Sequence, residues 1–150
     1  MRNSSKTLII VPCGKKKIWD ETPAIGRTPA KYAYAGNYFK LCVQYAERFS
    51  NKWLIFSGKY GLIEPDQKVD YYDKKVKASD DLRSKIRGQL EPYISTGYAL
   101  IVSLCGKDYS EILRDVVEPT EIKLYTPLEG LRIGIRQKQI KESLRHNTAL

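Results

Sequence analysis

Six carboxylates follow two of the chain's apolar runs: Asp20 and Glu21 after the first, and Glu64, Asp66, Asp70 and Asp73 after the second. A carboxylate held in a polar site can activate a water or stabilise a developing oxocarbenium ion. Asp73, directly behind the Tyr71-Tyr72 pair, is the first candidate for such a role, followed by Asp66 and Glu21; a solvated surface charge is the competing reading for each. Lysines recur at matching places. The runs Leu8–Val11, Leu54–Phe56 and Leu100–Val102 each lead into a small polar residue, a glycine and a lysine, which places Lys15, Lys59 and Lys107 just past three apolar runs. Converging lysines suit an anionic ligand. Lys15-Lys16-Lys17 extends the first of these positions, and alternation points Lys15 and Lys17 the same way. Cys13 stands before Gly14 at the same place, where it reads either as a nucleophile activated by a neighbouring charge or as a small residue beside a turn.

Other chemistries are excluded or lack their residues. There is no GxxxxGK[ST] phosphate loop and no GxGxxG after the first apolar run. His146 is the only histidine, which makes a Ser-His-Asp triad or a His/Cys deaminase zinc site hard to build. Catalysis, if present, has to run on carboxylates, lysines, tyrosines or thiols, and no metal or cofactor is expected.

The elements that must position these residues follow from periodicity. Continuous aliphatic runs bounded by glycine are the pattern of parallel strands buried on both faces. Strands are expected at about 7–13, 53–57, 98–105 and 120–125. Helices are expected from Pro29 or Ala30 to Phe49, from a Ser79 cap to about Glu91 ahead of Pro92, at about 109–117, and at about 131–146. Alternating strands and helices predict an α/β fold, a three-layer α/β/α sandwich with a four-stranded, mainly parallel sheet, forming one domain over residues 1–150. Ligands of such sheets bind outside the carboxyl ends of the strands. The connection from Gly58 to Ala78 is too long for a plain turn and carries Tyr60, Tyr71 and Tyr72, so an ordered active-site loop is expected there.

Composition sets the class of partner. Twenty-six Lys and Arg against 17 Asp and Glu give a net charge of +9, and the isoelectric point of about 9.4 is the electrostatic footprint of a nucleic-acid binder. Eleven tyrosines, several beside lysines as in Lys31-Tyr32-Ala33-Tyr34 and Lys59-Tyr60, offer stacking surfaces next to phosphate contacts. No apolar run is long enough to span a membrane, and the short run after Lys6 reads as a first strand, not a signal peptide. Three cysteines without CxxC spacing fit a reducing cytoplasm.

The motifs taken together resemble those of a family of small bacterial and phage-associated proteins. The matching residues are Cys13, Lys16 and Lys17; then Ala30, Tyr34, Gly36, Tyr38 and Phe39; then the Ser57-x-Lys59-Tyr60-Gly61-Leu62 run. Pro65-Asp66, Tyr72-Asp73 and Pro127-Leu128-x-Gly130-Leu131-x-x-Gly134 complete the order, and Gly58 departs from the alanine the pattern carries. That family is similar to the Pro-Cys domain of archaeosine synthase and, more distantly, to the peroxide-stress protein YaaA. The chain also resembles an anti-phage DNA glycosylase acting on glucosylated hydroxymethylcytosine. The resemblance implies a fold like that of uracil-DNA glycosylase and DNA as partner, double-stranded with a flipped base or single-stranded. It also implies a site in which Ser57, Tyr60 and Tyr34 line the base pocket beside Cys13, while Lys15, Lys17 and Lys59 hold phosphates. Asp73 or Asp66 would activate water or stabilise the sugar cation, with Lys59 as the nucleophile if a lysine attacked C1′ instead. A base-modifying transferase acting on 7-deazaguanine in tRNA or DNA through Cys13, and a non-enzymatic DNA-binding module, are the alternatives.

Overall fold

The strand Lys6–Pro12 (β1) is buried from Ile9 to Pro12 and at Leu8, and it sits at the centre of the sheet. The computed structural model describes residues 6–74 and 77–150. On one side β1 pairs in parallel with Lys52–Ser57 (β3), with Ile10 opposite Leu54; on the other it pairs in parallel with Tyr98–Ser103 (β6), with Ile9 opposite Val102. Lys123–Tyr125 (β7) extends the β6 side in parallel, and Gly61–Ile63 (β4) closes the β3 side antiparallel, giving the order β4-β3-β1-β6-β7.

Side-chain alternation along the strands makes two cores, one on each face. Ile9, Val11, Trp53 and Ile55 pack against the helices Asn37–Phe49 (α2) and Ile133–His146 (α5), through Phe39, Cys42, Tyr45, Ala46 and Ile140. Leu8, Ile10, Leu54 and Phe56 point the other way. They meet Leu82, Ile86 and Leu90 of Asp80–Ser95 (α3) and Ile112, Leu113 and Val116 of Lys107–Val117 (α4). This is the expected three-layer sandwich, and the four expected strands are all in it. A short fifth strand joins them, because the turn after Ser57 folds β4 back onto β3 with Ser57 opposite Gly61.

Three boundaries differ from expectation for identifiable reasons. The long helix expected from residue 29 or 30 to 49 is two helices, Ala30–Ala33 (α1) and α2. Tyr34 between them is extended and forms an antiparallel bridge with Lys17, and the Ala35 N–H donates to the Lys16 carbonyl at 3.0 Å. Pairing with another segment here outweighs helix propensity. Second, α3 runs through Pro92 to Ser95. The proline falls in the last turn, where Tyr93 and Ile94 still pack on the core and the Thr96 hydroxyl donates to the Pro92 carbonyl at 2.7 Å. Third, the 58–78 connection contains β4 and Lys68–Val69 (β5), and β5 pairs antiparallel with Thr28–Pro29 (β2). Residues 75 and 76 of that connection lie outside the described residues.

The turn into β4 is locked to α3 by one side chain. Gln89 accepts from the Leu62 N–H at 2.7 Å and donates to the Tyr60 carbonyl at 2.9 Å. Gly61 adopts φ +72°, and a Cβ there would lie 2.5 Å from Gln89 Oε1. Gly61→Ala therefore combines left-handed strain with displacement of the clamp, and it is expected to lower unfolding free energy by about 1–3 kcal/mol. Urea denaturation of the two proteins measures this, and an unchanged midpoint would contradict it.

Candidate functional site

Ser57 ends β3 with no solvent exposure, so its hydroxyl must find partners inside the protein. It accepts from the N–H groups of Lys59 and Tyr60, each at 3.2 Å, and donates to the Tyr72 hydroxyl at 2.7 Å. The Tyr72 hydroxyl also hydrogen-bonds the Tyr34 hydroxyl. Around this node the Tyr60 ring meets Tyr72 edge-on, with centroids 5.5 Å apart. Lys17, only 7% exposed, lies with its ammonium 5.0 Å from the centroid of the Tyr72 ring. Its Nζ donates to the Lys15 carbonyl at 3.3 Å, and its backbone N–H donates to Asp20 at 2.9 Å.

Tyr72 and Lys17 carry this node to the wall of a cavity of about 280 Å³ lying beyond the carboxyl ends of the strands, which Ser57, Tyr34 and Tyr60 do not line. Cys13, Gly14, Lys15 and Lys17 enter it from the loop after β1, and Tyr72, Asp73 and Lys74 from the long connection. Asp108 and Tyr109 reach it from the first turn of α4. Cys13 is fixed by its N–H, which donates to the Phe56 carbonyl at 3.1 Å, and its sulfur lies 3.7 Å from the Tyr109 hydroxyl. Tyr109 in turn packs edge-on against Phe56, centroids 5.1 Å apart.

Burial is the main cause that pushes the phenols of Tyr34, Tyr72 and Tyr109 well above the ordinary tyrosine range. The neighbouring Tyr72 adds to this at Tyr34, and Cys13 adds to it at the other two. All three stay neutral at physiological pH and serve as hydrogen-bonding groups, not as bases. Burial also raises the thiols of Cys42, to about 12, and of Cys105, which marks both as core residues.

The structure therefore gathers Cys13, Lys15, Lys17 and Asp73 at one cavity and sets Tyr34, Ser57 and Tyr60 behind it around Tyr72. It places other candidates elsewhere. Asp66 is exposed and paired with Lys31 at 2.8 Å, which holds its carboxyl below the usual range. Glu21 is exposed at the end of a 3-10 turn, Ile18–Asp20. Lys59 faces a second cavity, its ammonium 5.1 Å from the Tyr60 ring centroid. Lys107 is exposed and reaches Glu111 at 4.0 Å. Asp108, Tyr109 and Lys74 were not singled out by sequence. Asp108 and Tyr109 follow the third Gly-Lys position, and their place just beyond a strand end was the available signal. Among the described residues, no group of three or more His, Cys, Asp and Glu side chains could hold a metal ion, and no helix is long and apolar enough to cross a membrane.

Comparison with known proteins gives three similarities. A family model described as a family of unknown function, DUF6884, matches residues 8–142. The uncharacterized protein YfjM of Bacillus subtilis (strain 168) is 35% identical over 120 residues, covering 75% of this chain and 77% of that protein. The crystal structure of AF0587, a protein of unknown function, matches with a TM-score of 0.49 and 14% identity. That match covers 95% of this chain and 44% of the other, so the chain spans less than half of that protein's length.

The hydroxyl node makes two predictions. Tyr72→Phe and Ser57→Ala should each cost about 1–2 kcal/mol, and the double variant less than their sum, with a coupling of about 1 kcal/mol in a denaturation cycle. The raised phenols bind their protons more tightly in the folded than in the unfolded chain. Their contribution to stability is thus complete below the ordinary tyrosine value of about 10 and is lost as pH rises above it. Stability measured from about pH 8 to 11 should fall at the alkaline end, and Tyr34→Phe should reduce that fall.

Proposed function

This chain belongs to the DUF6884 family, whose function is unknown, and we propose that it is a DNA glycosylase that removes a modified base and leaves an abasic site. The observation that carries the reading is the meeting of Asp73 with Lys15, Lys17, Lys74 and Tyr72 in one cavity on a protein of net charge +9. Its volume of about 280 Å³ lies just below the range of ligand pockets, which run from about 300 Å³ upward, so it takes the base and leaves the sugar and phosphates at its mouth. The resemblance to a glycosylase acting on glucosylated hydroxymethylcytosine supports the same reading and suggests an anti-phage role in the cytoplasm.

In this reaction the DNA strand docks through the basic face, and the target nucleotide swings out of the stack at a cost of a few kcal/mol. The lysines at the cavity mouth hold its phosphates, and the tyrosine walls contact the base. Asp73 takes a proton from a water whose oxygen bonds to C1′. The C1′–N bond breaks with its electron pair leaving on the base, which collects a proton from solvent. Before it takes that proton, the Asp73 carboxylate stabilises the sugar cation as it develops, and the Lys17 ammonium offsets charge on the departing base. Asp108 is the other carboxylate on the cavity wall. Lys59 belongs to the neighbouring cavity, so attack on C1′ by Lys59 forms no part of the proposal.

One observation favours a second reading. Cys13 reaches the same cavity beside the Tyr109 hydroxyl, where a base-modifying transferase would place a nucleophilic thiol. The two readings separate in one assay. Plain, hydroxymethylated and glucosylated DNA are each incubated with the protein, and alkali-labile sites are counted. Cleavage is expected on glucosylated DNA, and its absence on all three would overturn the glycosylase. Asp73→Asn should reduce excision about 1,000-fold, while Asp66→Asn, Glu21→Gln and Cys13→Ser should retain it. Loss on Cys13→Ser with retention on Asp73→Asn would transfer the chemistry to the thiol.

A further inference from the structure

Beside the first cavity lies another of about 350 Å³, and Lys74 lines both. Three more lysines, Lys59, Lys77 and Lys85, surround it, with Asp81 as the carboxylate on its wall. Among the described residues, none of these four lysines forms an ion pair with a carboxylate. Like charges collected around a concavity repel one another unless an anion enters.

The arrangement is built into the fold, since two of the four lysines are held where they are. Gln89 clamps the turn before β4 to α3, and the same contact brings Lys85 of α3 against that turn, its Nζ donating to the Lys59 carbonyl at 3.3 Å. The Ser57 hydroxyl fixes the Lys59 N–H, and the Lys59 ammonium rests on the Tyr60 ring. A side chain at position 61 would collide with Gln89 and crowd Lys85 Cδ, at 2.5 and 3.2 Å, so the glycine is what permits the approach.

We propose that this second cavity binds a backbone phosphodiester of the nucleotide next to the one in the first cavity, so that the ligand is a nucleic-acid strand and not a free nucleoside. The inference rests on the reading of the first cavity as a nucleotide site. It adds a separate contact that binding alone can report. Lys74, on the shared wall, lies between the two phosphate positions.

The test measures fluorescence anisotropy of a labelled, unmodified single-stranded oligonucleotide across a salt series. Wild type is compared with Lys59→Gln/Lys85→Gln and with a charge-matched control, Lys6→Gln/Lys123→Gln, at the first residues of β1 and β7. Neutralising one phosphate site should weaken binding about tenfold and reduce the slope of log affinity against log salt by about one in the first variant only. Lys77→Gln, whose side chain takes no part in the Gln89 clamp, should act in the same direction without touching the fold. Equal loss in the control, or no loss in either cavity variant, would overturn the proposal, as would failure of the wild type to bind. A lysine-dependent loss from a protein that excises no base would leave the phosphate site standing and remove the glycosylase.

Discussion

A hydroxyl with no access to water at the end of a strand has to be satisfied by its neighbours, and Ser57 imposes that requirement on three segments at once. Its two acceptor contacts set the turn at Lys59 and Tyr60, and its proton fixes Tyr72 in the long connection. Tyr72 then holds Tyr34, the extended residue that follows α1. An unpaired buried hydroxyl costs about 1–3 kcal/mol, so these segments are positioned jointly. The ligand-facing residues inherit that order: Asp73 follows Tyr72 in the chain, and Lys17 lies over its ring.

The charge distribution around the node has a division of labour. Lys17 is buried and held by an aromatic face and a carbonyl, so little side-chain freedom remains to be lost when an anion binds. The lysines at the neighbouring cavity are exposed, Lys59 and Lys85 each with one contact to the turn before β4. A ligand that spans both would be oriented by the first and drawn in by the others, with long-range attraction weakening as salt rises.

The sheet was legible because its strands are uninterrupted aliphatic runs, a pattern set by burial on both faces and independent of distant residues. β4 was not, since three residues after a glycine acquire strand character only once the turn folds them onto β3. The break at Tyr34 was hidden for a related reason. Apolar spacing continues from Ala30 to Phe49, and what interrupts the helix is a bridge to Lys17, seventeen residues away. In the site, Cys13, Lys15, Lys17 and Asp73 came together because strand ends and a tyrosine pair marked them. Asp66 carried an equally plausible local context, but its pairing with Lys31 depends on α1, which no local pattern encodes.

The central place of β1 also bears on how the chain acquires its structure. One edge of β1 is completed by β3, and the other only by β6, where Ile9 pairs with Val102. At synthesis rates of about 5–20 residues per second, the second edge waits on the order of ten seconds for its partner to be made. During that interval the central strand of the sheet presents unpaired backbone to its surroundings. A chain so ordered assembles late, and in a crowded cell its hazard is greatest before the site exists at all.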